Sequence, residues 1–166
     1  MLVEIFVEVC REHAVLPRYA NPGDAGMDVY AAEEITIMPS ETVIVPTGLK
    51  LAIPEGYEIQ VRPRSGLSFK TPLRIPNSPG TIDSGYRDEL GIIMNNSSDI
   101  GSSNNSNAPF SLDEKGNKKG AYIIRKGDRI AQIVLQVVPK MLLTRVASVK
   151  SIGADRGGGF GSTGVG

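Results

Sequence analysis

Thr42-Val43-Ile44-Val45, then Pro46-Thr47-Gly48, then Leu49-Lys50-Leu51-Ala52-Ile53: two short apolar runs with a proline-glycine break between them decide how this chain is read. Val, Ile and Thr suit a pleated, half-buried surface, and a break of this composition reads as a turn. The pattern recurs on both sides. Upstream, residues 3–9 alternate Val, Ile, Val and Val with Glu, Phe and Glu, and residues 35–38 end at Pro39. Downstream, residues 57–61 alternate and stop just before Pro63, followed by runs at 90–94, 122–125, 130–138 and 142–149. The 19 glycines and 11 prolines are spread between these runs. No stretch carries a long helical period with a cap at each end; one helical turn fits near Ser68. Many short strands at this spacing predict an all-β domain, a sandwich, jelly roll or barrel.

The chain has 166 residues, enough for one domain with a real core. Lys plus Arg and Asp plus Glu both number 18, so the basic excess of a nucleic-acid binder is missing. A small anionic substrate needs only a few local cations. Cys10 is the one cysteine, which rules out an internal disulfide and reads as a small buried apolar side chain. Residues 1–9 lack a basic leader and a small-residue cleavage site, and no apolar run approaches the roughly 20 residues of a membrane span. The expectation is a cytoplasmic protein with no membrane or nucleic-acid partner.

Two segments stand apart. Residues 97–119 are rich in Ser, Asn, Gly and Lys and read as a polar surface loop insertion. Residues 153–166 are glycine-rich, yet carry Arg156 and Phe160, which plain linkers rarely do. The expected division is a β-domain over 1–152 and a flexible C-terminal arm over 153–166.

The chemistry is narrowed by what the chain lacks. It has no G-x-x-x-x-G-K-[ST] loop, no cysteine pair, and His13 as its single histidine, set in the polar Arg11-Glu12-His13. Carboxylates, arginines, hydroxyls, backbone amides and a hard metal ion remain. These suit phosphate chemistry, which runs on positioning and charge neutralisation. Four clusters hold them. Asp24-Ala25-Gly26-Met27-Asp28 is a turn leading into a strand. Arg62-Pro63-Arg64-Ser65-Gly66-Leu67-Ser68 ends a strand and offers a guanidinium, a hydroxyl and accessible backbone N–H groups to a phosphate. Asn77-Ser78-Pro79-Gly80-Thr81-Ile82-Asp83-Ser84-Gly85-Tyr86-Arg87 reads as a β-hairpin with a buried Ile beside an Asp and a Tyr. Arg156-Gly157-Gly158-Gly159-Phe160-Gly161-Ser162-Thr163-Gly164 lies in the glycine-rich arm. Each has a plain structural reading as a turn, a strand end, a core tyrosine or a tail; their occurrence together, in this order, points to a site.

With Gly127-Asp128-Arg129-Ile130-Ala131-Gln132 added, these clusters resemble the five motifs of the trimeric dUTPase family, in family order and over most of the chain. The third and fifth motifs are the most specific. The resemblance implies a β-clip, a distorted jelly-roll-like barrel of short strands, assembled as a homotrimer whose active sites are shared between subunits and closed by the C-terminal arm. It implies Mg²⁺-dependent hydrolysis of dUTP to dUMP and pyrophosphate, which limits uracil incorporation into DNA and supplies dUMP for thymidylate synthesis. Carried onto this sequence, Asp83 orients and activates the attacking water and lies near the sugar 3′-hydroxyl. Tyr86 packs on deoxyribose and excludes a 2′-hydroxyl. Asn77, Thr81 and Ile82 read uracil. Arg64, Ser65 and Gly66 hold phosphates from a neighbouring subunit, Gln132 positions the α-phosphate or the water, and Asp28 supports Mg²⁺ through its waters. Arg156 clamps the γ-phosphate, Phe160 stacks on uracil, and Gly161, Ser162 and Thr163 belong to the phosphate-contacting end of the arm. The sequence departs from the family pattern at Asp88, where glycine is common, at Ser68, where alanine is common, and in the 97–119 insertion.

These implied roles are physically coherent. An unperturbed Asp is ionised at neutral pH and accepts a proton from water. Uracil presents N3–H and O4 where cytosine presents the reverse, so a paired site leaves cytosine with unsatisfied groups. The competing readings are a dCTP deaminase of the same fold, whose catalytic hairpin region carries a glutamate, and a non-catalytic nucleotide-sensing module.

Overall fold

The break at Pro46-Thr47-Gly48 bends a strand without ending it. In the computed structural model, which describes residues 2–102, 108–155, 157 and 158, β4 (Thr42–Ala52) runs straight through it. β4 pairs antiparallel with β8 (Glu89–Asn96) from Thr42↔Asn95 to Pro46↔Gly91, then resumes at Lys50↔Glu89. Thr47, Gly48 and Leu49 therefore stand against the single residue Leu90, a bulge of the kind that accommodates a strand proline. The buried Thr47 hydroxyl donates to Leu90 O at 2.6 Å and accepts Leu49 N–H at 3.3 Å, so the bulge leaves its polar side chain satisfied.

Around β4 the chain builds three sheets. The first orders β1 (Phe6–Val9), β4, β8 and β6 (Leu73–Arg74); the second orders β2 (Met27–Tyr30), β11 (Arg129–Val137), β5 (Tyr57–Arg62) and β7 (Gly80–Ile82); the third orders β3 (Ile35–Ile37), β10 (Tyr122–Ile124) and β9 (Phe110–Ser111). All pairings are antiparallel except β9 with β10. One short helix, α1 (Ser65–Lys70), interrupts the strands near Ser68, as the sequence predicts. β8 shows why the layers close: its residues alternate, turning Leu90, Ile92, Met94 and Asn96 inward. Leu90, Ile92 and Met94 meet Val29, Val45, Ile37 and Tyr122 in one core. The chain is all-β with this single short helix among the described residues. No helix among them is long and apolar enough to cross a membrane.

Five expectations are corrected. Cys10 is exposed rather than buried, because it lies on the N-terminal segment that crosses the outside of the β4 bulge. The first strand shortens to Phe6–Val9. Residues 142–149 form no strand, and Leu142 and Leu143 are about as exposed as in an extended chain, at 92% and 86%. A β-rich run becomes a strand only beside an edge with free N–H and C=O groups, and β11, just before it, is already paired on both sides. The stretch around Thr81 is not a hairpin: β7 pairs with β5, and the chain then crosses to β8 in another sheet. Ile82 is half-buried there rather than buried. Finally, the ends of the polar insertion are tied down. Ser98 is buried, its Oγ accepts Gly120 N–H at 3.1 Å, Asn117 N–H reaches Lys70 O at 2.9 Å, and Phe110–Ser111 adds a strand to β10.

Candidate functional site

Three strands of the second sheet line up the polar side. Gln132 on β11 stands opposite Asp28 on β2 and opposite Arg62 on β5, so the three form one row across the sheet. β5 ends at Arg62, and Arg64 becomes the N-cap of α1 with extended backbone (φ −87°, ψ 131°). Buried Leu67 seats the helix on the core, which holds Ser65 and Gly66 exposed at its first turn. There the leading N–H groups have no intrahelical partner.

Asp28 is the hub of the row. Arg64 Nε donates to its Oδ1 at 2.7 Å and Arg129 Nη1 to its Oδ2 at 3.3 Å, while Arg64 Nη1 donates to Arg129 O at 3.3 Å. The Gln132 amide lies along the floor, Nε2 donating to Pro63 O at 2.9 Å. Gly26 makes room for it: a Cβ at that position would fall 2.5 Å from Gln132 Oε1. Around these groups is an open polar cleft of about 410 Å³, lined among others by Asp24, Arg62, Arg64, Ser65, Arg129 and Gln132. A second cleft, of about 370 Å³, continues past Arg64, Gly66 and Arg129 to Lys70 and Asp128. The arrangement supplies guanidinium groups and exposed helix-start residues around two partly buried carboxylates, Asp28 and Asp128, and the cations suit an anion carrying several charges.

The other predicted residues lie elsewhere. None of Asn77, Thr81, Ile82, Asp83 and Tyr86 lines either cleft. β7 is the far edge of the sheet from β2, three strand spacings or about 14 Å away. Its register, Gly80↔Val61 to Ile82↔Ile59, carries Asp83 level with Glu58, about 13 Å back along β5 from Arg62. Asn77 folds over Gly80, where a Cβ would come within 3.2 Å of its Nδ2. Asp83 is exposed at the head of a tight turn in which Tyr86 N–H donates to Asp83 O at 3.1 Å. The Tyr86 hydroxyl donates to Glu89 O at 2.9 Å, and Arg87 Nη1 donates to Ser84 O and Tyr86 O. One chain thus presents two separate polar clusters, the cleft and the turn.

The dUTPase family model matches residues 12–101. A deoxyuridine 5′-triphosphate nucleotidohydrolase of Fusobacterium nucleatum is 44% identical over 165 residues, covering 97% of this chain and 98% of the relative. The chain belongs to the dUTPase family. Among solved structures, a mutant dUTPase of Staphylococcus bacteriophage 80alpha with dUpNHpp superposes with a TM-score of 0.86 at 33% identity, covering 98% of this chain and 99% of that one. A mutant dUTPase from phage phi11 of S. aureus, which coordinates a structural Mg(II) ion, superposes with a TM-score of 0.80 at 30% identity, covering 89% and 99%.

A dUTPase chain raises the question of a metal. Among the described residues no group of three His, Cys, Asp or Glu side chains converges on one point. Asp28 keeps unused lone pairs beside its two guanidinium partners, with its side chain 17% exposed. A lone carboxylate is an oxygen donor of the kind Mg²⁺ accepts, so Asp28 would give such an ion a supporting contact rather than a cage. Arg156, Phe160, Gly161, Ser162 and Thr163 lie outside the described residues. Sequence reasoning assigned no role to Arg62 and Arg129, although both stand inside quoted motifs. Their signal was a second arginine two residues before Arg64, and an arginine three residues before Gln132.

Proposed function

We propose that this dUTPase-family chain hydrolyses dUTP to dUMP and pyrophosphate, with Mg²⁺, at a site completed by a neighbouring copy. The observation that carries the reading is the Asp28–Gln132–Arg62 row, with Arg64 across it and Ser65 and Gly66 beside it, in a chain of this family. Arg64, Ser65 and Gly66 hold phosphates, and Gln132 positions the α-phosphate or the water. Asp83 of another copy takes a proton from the water that attacks the α-phosphorus; the α–β bridging oxygen leaves with pyrophosphate. Such general-base help is worth about 10²–10⁴-fold. Tyr86 covers the deoxyribose, and Asn77, Thr81 and Ile82 read uracil. Bound Mg²⁺ supplies charge neutralisation on the polyphosphate, with Asp28 as its water-mediated support.

The half-sites in one chain support the sharing of sites in a trimer. So do the exposed apolar side chains Phe6, Val137, Met141, Leu142 and Leu143, unusual for a lone subunit. Residues 1–152 form the body, with 97–119 inserted, and 153–166 the arm that brings Arg156, Phe160, Gly161, Ser162 and Thr163 to the substrate. A nucleotide substrate and the free, exposed thiol of Cys10 support a cytoplasmic setting.

The deciding experiment is pyrophosphate release from dUTP, dCTP, dTTP and UTP side by side, with and without a chelator. Release from dUTP alone, lost with the chelator, is expected. Ammonia from dCTP would move the chain to the deaminase branch, and silence with every substrate would favour a nucleotide-sensing module. Truncation after Ala154 should leave a folded assembly of three chains by light scattering with little activity; unchanged turnover would sink the closing arm.

A further inference from the structure

Arg11 makes a set of contacts that neither half-site uses. Its guanidinium forks onto Glu89, Nε to Oε1 at 2.6 Å and Nη2 to Oε2 at 2.7 Å, and its Nη1 takes Glu33. Gly48 N–H donates to Glu89 Oε1 at 2.8 Å. One carboxylate at the start of β8 is therefore held from the N-terminal segment and from the β4 bulge together. The bonds from Arg11, assisted by Gly48 N–H, hold the Glu89 carboxyl below its ordinary range.

The seat for Arg11 is built into the fold. Cys10 N–H donates to Gly48 O at 2.8 Å and Ala14 N–H to Arg11 O at 3.2 Å, turning the N-terminal segment over the bulge. Gly48 sits at φ +73°, and a Cβ there would lie 2.6 Å from Ala14 Cβ and 2.9 Å from Arg11 Cβ. Only glycine allows so close an approach.

Glu89 faces the active-site turn with its main chain. Its carbonyl accepts the Tyr86 hydroxyl at 2.9 Å, at the far tip of a ring that is 38% exposed. The other bonds of the turn, Tyr86 N–H to Asp83 O and Arg87 to Ser84 O and Tyr86 O, hold its backbone and leave the ring tip to Glu89. We infer that Arg11 is a positioning residue for sugar discrimination: by forking onto Glu89 it fixes the carbonyl that anchors the Tyr86 hydroxyl, and through it the angle of the ring. The inference rests on the reading of Tyr86 as the group that excludes a 2′-hydroxyl. A bidentate fork fixes orientation as well as distance, which a lysine ammonium does not reproduce.

The test is kcat/KM for dUTP and for UTP, with melting curves, in Tyr86→Ala, Tyr86→Phe, Arg11→Ala, Arg11→Lys and the Arg11→Ala/Tyr86→Phe double variant. Tyr86→Ala should admit UTP. Tyr86→Phe and Arg11→Ala should each narrow the dUTP:UTP ratio by about three- to tenfold, the scale of one hydrogen bond. The double variant should be no worse than the more affected single one, because both changes remove the same constraint. Arg11→Lys should recover part of the ratio, and it takes the place of Arg11→Ala in the cycle if the alanine variant does not fold. Glu33→Gln, at the outer end of the network, should leave the ratio unchanged. A wild-type ratio in the Arg11 variants, or losses that add in the double variant, would overturn the inference while Tyr86→Ala still admits UTP. If Tyr86→Ala rejects UTP like the wild type, the sugar-gate reading itself falls and takes the inference with it.

Discussion

The polar cleft and the Asp83–Glu89 turn are held together by different means. Hydrogen bonds across the cleft join residues far apart in sequence: Arg64 with Asp28 over 36 positions, Arg64 with Arg129 over 65, Gln132 with Pro63 over 69 and Arg129 with Asp28 over 101. The bonds inside the Asp83–Glu89 turn span three positions or fewer. The cleft exists only when β2, β5 and β11 are in register. The turn is local, and a local turn fixes its own backbone without fixing how it faces the rest of the molecule. Glu89, where the turn runs into β8, is tied to Arg11 across 78 positions. The Asp83 carboxylate on this turn is exposed, whereas the side chains of the cleft are already bonded to one another.

The sharpest way to break this contrast is to change the turn's chemistry without its structure. Asp83→Ala removes an exposed side chain but keeps the carbonyl that accepts Tyr86 N–H. Pyrophosphate release should fall by about 10²–10⁴-fold with the melting temperature unchanged; near-normal turnover would remove Asp83 from its role. On the cleft side the converse change leaves every polar group in place and moves one. Gly26→Ala puts a Cβ 2.5 Å from Gln132 Oε1, the end of a flexible side chain, which must swing off Pro63 O. Turnover should drop about tenfold for a stability cost of about 1 kcal/mol. Wild-type kinetics would show that the Gln132 amide plays no part near the α-phosphate.

Arg129→Ala tests how far the pre-arranged network depends on its outer member. Its side chain is 53% exposed and its bond to Asp28 is the longer of the two. KM for dUTP should rise about threefold and stability change by less than about 1 kcal/mol; a collapse of activity would make Arg129 a principal phosphate ligand. The smallest effect is expected from acid. Glu89 faces Arg11, Gly48 N–H and Lys50, and its folded pKa lies below that of an unfolded glutamate, about 4.3. The stabilisation is therefore complete above that value and is lost as pH falls through the folded pKa. Glu89→Gln should be less stable than the wild type at neutral pH, and the gap should narrow as pH falls below the unfolded value and through the folded pKa. A gap that stays constant across that range would mean the fork contributes nothing through charge.

Much of this was legible beforehand. The five motifs name the family, and the run at residues 90–94 falls within β8. What could not be read had a common cause. Pro46-Thr47-Gly48 looked like a turn because proline and glycine signal the same thing in a turn and a bulge; Thr47 bonding to Leu90 decides between them. Residues 142–149 looked like a strand because their composition says nothing about a free edge. The stretch after Ile82 looked like a hairpin, yet β8 lies between β4 and β6. Arg129 passed unassigned because its partner Asp28 is 101 positions away.

By itself the sequence determined the all-β class, the punctuation between strands, the carboxylates and arginines available for phosphate chemistry, and the family they belong to. These follow from side-chain period and residue type, which are properties of neighbours along the chain. Only the tertiary structure decided that Asp28, Gln132 and Arg62 form one row, that Gly26 leaves space for an amide, and that Asp83 sits far from Arg64. Strand register is a pairing between distant segments, and no local pattern specifies which segment will supply the partner.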